Sequence, residues 1–446
     1  MTADRLLATC ERVLDLVETG AEAEVTVSAG TEALTRFATS FIHQNVADDA
    51  RSVHLRVEID GRVAEASVNQ ADDEALGRLV ASVTEAARLR PVDPGWPGLA
   101  PVADAPDVDH WDQATADADP AERAERVGAF VSAADGLETA GFCSTEGVTT
   151  AFANSAGQRL AGRATSAALD GIARTGSSDG SARAASRRLS DLDGAHLGAD
   201  ATRRARDSAD AADLEPGRYE VVLEPSCVVN LLSFLALHGF NGRAVDEGRS
   251  FARLGEQQFD AALTLADDVT HPVAIGVPFD AEGTPKRRVE LVRDGVTSSL
   301  VHDRRTAKAL DAESTGHAVA GAGAWGAIPA NLVLEPGAVS HDELVARVER
   351  GLLVTDFWYT RILDPRTQVV TGLTRNGVWL VENGQVVRPV TNLRFTQSYL
   401  DALAPGNVLD IGTDLTLVGG GTFGIGAYAV PSLHLASWNF TGGASG

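Results

Sequence analysis

The chain has 446 residues, 44% of them hydrophobic and 22% charged, which suits two or three packed domains of about 100–200 residues and excludes global disorder. Acidic residues number 62 against 38 basic ones, a formal net charge of −24, and such a field repels phosphate backbones, so no nucleic-acid partner is expected. Cys10, Cys143 and Cys227 lie far apart with no C-x-x-C pair, so neither a disulfide framework nor a thiolate zinc site is signalled.

From Asp4 to Thr19 apolar residues recur at three- and four-residue spacing, which predicts a helix. Charged residues interleave with its leucines, so no signal peptide is expected there. Alternation at Ala23 to Ser28 predicts a strand, and Val53 to Ile59 with Val63 to Val68 predicts a hairpin turning at Asp60-Gly61. Asp72 to Leu89 returns to helical spacing with acidic residues in its first turn. Five prolines between Pro91 and Pro106 predict a long surface connection. A helix from Pro120 to Ala134, capped by Asp119, precedes strands at Phe142 to Phe152 and Gln158 to Leu169.

A polar segment, Gly176 to Asp213, closes this half, and the domain boundary is placed at its end: residues 1–213 and 214–446. Beyond it, Tyr219 to Leu223, His271 to Val277, Val289 to Val292, Leu332 to Glu335, Gly351 to Thr355, Val378 to Val381, Gln385 to Val390 and Thr413 to Val418 are short strand candidates. One apolar helix, Ser226 to His238, interrupts them, with Gly239 as a C′ residue. The fold class is therefore α+β: an N-terminal helix-plus-antiparallel-sheet domain and a mostly β C-terminal domain with one buried helix. The longest apolar stretch, Cys227 to Leu237, is shorter than the roughly 20 residues a bilayer requires, so no membrane partner and a cytoplasmic location are expected.

Several motifs fail on context. Gly419-x-Gly421-x-x-Gly424 lacks the helix and acidic residue of a dinucleotide loop and suits a turn between strands. Gly176-Ser177-Ser178-Asp179-Gly180 matches G-x-S-x-G but lies in a polar segment, away from any strand-to-helix elbow. Glu313 and His317 are four apart, yet the glycines around them predict a flexible loop. His302-Asp303 and Asp267-Asp268 read as solvated loop pairs.

Tyr219-Glu220-Val221-Val222-Leu223-Glu224-Pro225, the helix through His238, the loop Glu313 to Ala318, and the stretch from Gly351 through Asp364-Pro365 to Val378-Trp379-Leu380-Val381-Glu382-Asn383-Gly384 together resemble the TldD/PmbA family. The W-x-x-E-N-G turn and the strand after it, Gln385 to Pro389, are the most specific part. The N-terminal half resembles the family more loosely, so the similarity covers nearly the whole chain.

The TldD branch of that family is a zinc peptidase with an H-E-x-x-x-H helix and a cysteine near its C-terminus. Two imidazoles and a thiolate hold the ion, and the glutamate takes the proton of a zinc-bound water. Laid on this sequence, the motif falls on Ser233-Phe234-Leu235-Ala236-Leu237-His238: Ser233 stands for the first histidine, Phe234 for the general base, and His238 alone matches. The cysteine position falls near Phe423, and no cysteine follows Cys227. Cys227 precedes His238 by eleven residues, about 16 Å along a helix, too far to replace that thiolate.

The resemblance thus implies a non-catalytic, TldE/PmbA-type subunit with no catalytic residue, no metal ligand set and no cofactor of its own. It also implies a zinc-bearing TldD-like partner, an unfolded or extended peptide as the substrate of the pair, and a homodimer as an alternative assembly in isolation. Two other readings stand beside it. One is an autonomous hydrolase assembled from His238, Asp246, Glu247, His271 or His317, and the other is a protein-binding modulator outside proteolysis.

Overall fold

The computed structural model describes residues 2–321, 323–419 and 426–443. The chain begins with α1 (Ala3–Leu16), whose buried Leu6, Cys10 and Val13 form one apolar stripe. Strands β1 (Glu22–Ala38), β2 (Phe41–Ile59) and β3 (Arg62–Val68) follow, and then α2 (Asp73–Leu89), where the Asp72 carboxylate accepts from the Ala75 amide as N-cap. After the proline-rich connection come α3 (Gln113–Ala116) and α4 (Pro120–Ala133), the latter opened by a capping box between Asp119 and Glu122. Strands β4 (Glu138–Asn154), β5 (Arg159–Arg174) and β6 (Asp179–Ser186) and helix α5 (Gly194–Asp207) complete this half.

These strands form one antiparallel sheet in the order β3-β2-β1-β4-β5-β6. α1 and α2 cover one part of it, and α4 and α5 another. β1 runs ten residues beyond the alternation seen in sequence because it is paired on both sides, by β2 and β4. Its polar residues find cross-strand partners there: Thr31 donates to Asp49 at 2.5 Å and Thr35 to Asn45 at 2.6 Å.

The second half starts with β7 (Gly217–Leu223) and the helices α6 (Pro225–His238) and α7 (Gly242–Asp246). Next are β8 (Leu265–Asp267), β9 (Val289–Arg293), β10 (Val296–Thr297), α8 (Arg304–Ala309), β11 (Leu332–Leu334) and α9 (His341–Ala346). Then come β12 (Arg350–Asp364), β13 (Val369–Glu382), β14 (Gln385–Pro389), β15 (Leu393–Ser398) and α10 (Tyr399–Ala402). The last described strands are β16 (Val408–Ile411), β17 (Thr416–Gly419), β18 (Ala427–Val430) and β19 (Leu433–Gly443).

β12, β7, β19, β15 and β13 are paired in that order, and β13 also pairs with β12, so the sheet closes on itself. Closure leaves these five strands without free edges, and β14 hangs on β13 as an outer strand. A second sheet runs β10-β9-β8-β11-β18-β17. α6 contributes eight apolar or aromatic residues to the core shared with both sheets, among them Leu231, Phe234 and Leu235, which is why its sequence is apolar nearly all round.

Two local expectations change. His271 to Val277 is a series of turns, because the Asp268 carboxylate accepts from the Thr270 amide at 2.9 Å and bends the chain before a strand can start. Gly239 follows α6 with φ −119°, so it is not a left-handed C′ residue; glycine is needed because a Cβ would collide with the Phe251 ring.

Candidate functional site

Glu224 and Pro225 start α6, and the Pro225 ring occupies a first-turn position whose amide would lack a helical acceptor. The helix then carries Ser233, Phe234 and His238 into the interior, with side chains mostly enclosed. The Ser233 hydroxyl donates to the Val229 carbonyl one turn back, at 2.7 Å. Phe234 meets Tyr399 edge-on with centroids 5.8 Å apart. His238 lies against the face of Phe234 and meets the Trp325 ring at 6.4 Å. Burial, with the Arg249 guanidinium nearby, holds the His238 imidazolium below its usual range.

These residues do not fit a zinc ion. One imidazole, one hydroxyl engaged to backbone and one phenyl ring fall short of the three protein ligands a catalytic zinc requires. Cys227, at the start of the same helix, turns its Sγ toward the Val354 carbonyl at 3.5 Å, and burial pushes its thiol well up. Among the described residues no group of three or more His, Cys, Asp and Glu side chains is arranged to hold a metal. Phe423, Gly421 and Gly424 lie outside the described residues.

The other sequence candidates take separate partners. Ser178 of the G-x-S-x-G run donates to the Ala205 carbonyl at 2.6 Å, and Gly180 is where β6 touches α5, since a Cβ there would strike the Ala201 carbonyl. Glu247 pairs with Arg243 and Arg249 on the surface, while Glu313 lies in an exposed loop.

His317 and Asp267 overturn the solvated-loop reading. The His317 Nε2 lies 2.9 Å from Asp267 Oδ1, with both side chains at most 1% exposed. Asp267 Oδ2 accepts from the Ala330 and Asn331 amides at 2.6 and 2.7 Å. Burial alone would raise this carboxyl, yet His317, Lys286 and the Asn331 amide together hold it below its usual range. Asp268 and His302 are also buried. Asp267 and Asn331 are 64 residues apart in sequence, and His317 lies between them, so no local pattern could have announced the contact.

Charged residues also join the two halves. Arg183 of β6 reaches Asp356 of β12 at 2.8 Å, and Arg204 of α5 reaches Glu224 at 2.8 Å. Arg56 of β2 holds Glu24 of β1 at 2.6 Å and approaches Glu282 at 3.7 Å. Burial drives Glu24 up to about 8 against the pull of Arg56, with the Glu282 carboxylate adding to the rise. Burial and the neighbouring Asp280 carboxylate drive Glu282 up to about 7. One guanidinium shared by Glu24, Glu65 and Glu282 cannot keep every carboxylate ionised.

Two neighbouring cavities open along this seam. One, of about 920 Å³, is lined by Arg183, Arg204, Glu224, His341, Trp379 and Val418 among others. The other, of about 490 Å³, shares Arg183 and Val418 with it and runs between β5, β6 and β17. β6 and β17 are outermost strands of their sheets, as is β14 along the larger cavity. Backbone groups on such edges are the feature that receives an extended peptide as an added strand.

Comparison with known proteins gives this geometry a family. The chain is 25% identical over 418 residues to the metalloprotease PmbA of Escherichia coli O157:H7, covering 89% of this chain and 88% of that one. It is 27% identical over 223 residues to a metalloprotease of Methanothermobacter thermautotrophicus, and there the match spans about half of each chain, 48% and 47%. In three dimensions it superposes on TldE from Thermococcus kodakarensis with a TM-score of 0.87 at 19% identity, covering 98% and 99% of the two chains, a likeness of fold. The PmbA/TldA metallopeptidase C-terminal domain matches residues 216–442, from the start of β7 nearly to the end of β19, and the chain belongs to the PmbA/TldD family.

Proposed function

We propose that this chain is a non-catalytic, TldE-like subunit of a two-component zinc metallopeptidase that processes unfolded or extended peptides. What supports the reading is α6: when the family's zinc motif is laid on this helix as the resemblance implies, Ser233 falls at the first zinc ligand and Phe234 at the general base, and neither side chain can serve there. Phe234 is built into the main core and can neither bind an ion nor accept a proton. The metal belongs on a TldD-like partner, and this chain helps enclose the space in which a peptide reaches it. The seam with its strand edges supports that role, since main-chain hydrogen bonds hold a peptide with little side-chain selectivity.

The test is reconstitution. The purified chain is mixed with a zinc-bearing TldD homologue from the same source, and the mixture is followed by size-exclusion chromatography and cleavage of an unstructured peptide. A joint peak with cleavage exceeding that of the homologue alone supports the proposal. Separate elution with no gain in cleavage refutes it.

A further inference from the structure

We infer that the peptide held along the seam is a basic one, whose lysine or arginine side chains meet the carboxylates of the cavity walls while a neighbouring bulky apolar side chain enters the smaller cavity. This names the substrate class of the site already described, and it rests on the reading of the seam as a peptide-binding surface. Main-chain hydrogen bonds select little, so any preference comes from the walls that flank the strand edges.

The smaller cavity owes its room to short side chains. Ala168 of β5 and Ala185 of β6 are cross-strand partners, as are Leu169 and Ala184, and all four line it. The half-buried Ile275 and Leu417 line it as well, with Gly419 at the end of β17. A Cβ added at Gly419 would meet only the Ala185 Cβ, at 3.7 Å, so β17 approaches β6 no more closely than ordinary contact. Water against these alkyl groups has few hydrogen-bond partners, and an apolar side chain displaces it favourably. A space of about 490 Å³ is larger than one aromatic ring fills, so a bulky group is admitted.

Charge selects the rest of the occupant. Five carboxylates line the larger cavity and two the smaller, against four guanidiniums in all. Those guanidiniums are already engaged. Arg203 and Arg204 pair with Asp200, and Arg204 also with Glu224. Arg183 pairs with Asp356 and Asp170, and Arg388 donates to the Ala212 and Asp213 carbonyls. Asp342 and Asp414 in the larger cavity and Glu146 in the smaller have no guanidinium partner among the described residues. A cleft with an excess of one sign concentrates ligands of the other, and an acidic peptide would add like charge to it.

β6 ties the two features together. Ser181 and Ala182 line the larger cavity, Ala184 and Ala185 the smaller, and Arg183 both. From Ser181 to Ala185 an extended chain covers about 13 Å. A peptide laid along this edge therefore needs its cationic and apolar side chains within a few positions of each other.

Fluorescence anisotropy tests the inference, with labelled peptides of equal length that alternate Lys with Phe, Glu with Phe, or Lys with Ala, titrated with the full chain at physiological salt. The Lys/Phe peptide should bind about tenfold or more tightly than either of the others. Glu146→Lys combined with Asp342→Lys, both at exposed positions, should weaken it about tenfold, and so should Ala168→Leu, which fills the smaller cavity. The paired reversal moves the net charge only from −24 to −20, so its effect reads the seam rather than general attraction to an acidic surface. Equal binding of the Glu/Phe peptide, or Lys/Phe binding unmoved by every one of these variants, overturns the inference. Equal cleavage of the Lys/Phe and Glu/Phe peptides by the reconstituted pair overturns it while the subunit reading stands. Seam-dependent Lys/Phe binding without a joint peak or cleavage upholds it and refutes the subunit reading alone.

Discussion

Phe234 stacks on His238 across one turn of α6, with ring centroids 6.1 Å apart and planes 24° apart. In a zinc peptidase of this family a carboxylate would stand next to the first histidine and reach a metal-bound water. Here a phenyl ring lies against the His238 imidazole, and the Ser233 hydroxyl donates to the Val229 carbonyl.

Phe234 is therefore a core residue, and Phe234→Ala should cost about 3–5 kcal/mol of stability. Phe234→Glu should destabilise further, because a carboxylate would enter the core without a partner, and it should not create zinc binding. Urea unfolding followed by tryptophan fluorescence gives both values. A loss under about 1 kcal/mol in Phe234→Ala would show that the ring is not part of the packed interior.

His238→Ala should leave peptide cleavage by a reconstituted pair unchanged. Its effect should be on stability, about 0.5–1.5 kcal/mol from the lost ring contacts. A collapse of turnover with the assembly intact would mean that the imidazole takes part in the reaction.

The Glu24, Arg56 and Glu282 cluster predicts a pH dependence of stability. Both carboxyls are raised above the unfolded value of 4.5, to about 8 and about 7. In the window between, the folded chain holds protons that the unfolded chain has released, so stability falls as pH rises and levels off above about 8. Asp280, Asp303, Arg56 and Arg304 face the two groups and set the size of the effect. Glu24→Gln removes one titrating group, so relative to the native chain it should be more stable at about pH 8 than at about pH 5. Urea midpoints at the two pH values decide the sign, and an equal difference at both contradicts it.

The His317–Asp267 pair predicts a large structural penalty. Asp267→Ala should cost about 3–5 kcal/mol, because two backbone amides and an imidazole lose a buried acceptor. A double-mutant cycle with His317→Ala should show strong coupling. Additive losses would place the two side chains in independent environments.

Local chemistry made much of the fold legible. Asp60-Gly61 and Asn383-Gly384 both have positive φ, and each turn names its hairpin. Asp72 and Asp119 cap the helices they precede. The position of α6 followed from Pro225 and an apolar run interrupted only by Asn230 and Ser233, which located the Ser233, Phe234 and His238 positions. What escaped is non-local. The ring closure of β12 with β13, the double pairing that lengthens β1, and the burial of Asp267 against His317 depend on segments far apart in sequence. Asp268 capping Thr270 converts a strand-like run into turns, and hydropathy patterning carries no mark of that.

The most direct measurement is elemental analysis of the chain purified without chelator, with a peptide-cleavage assay on the same preparation. The expected result is no stoichiometric zinc and no cleavage until a zinc-bearing TldD homologue is added. About one tightly bound equivalent of zinc, with cleavage by the chain alone, would contradict the supporting role assigned to it.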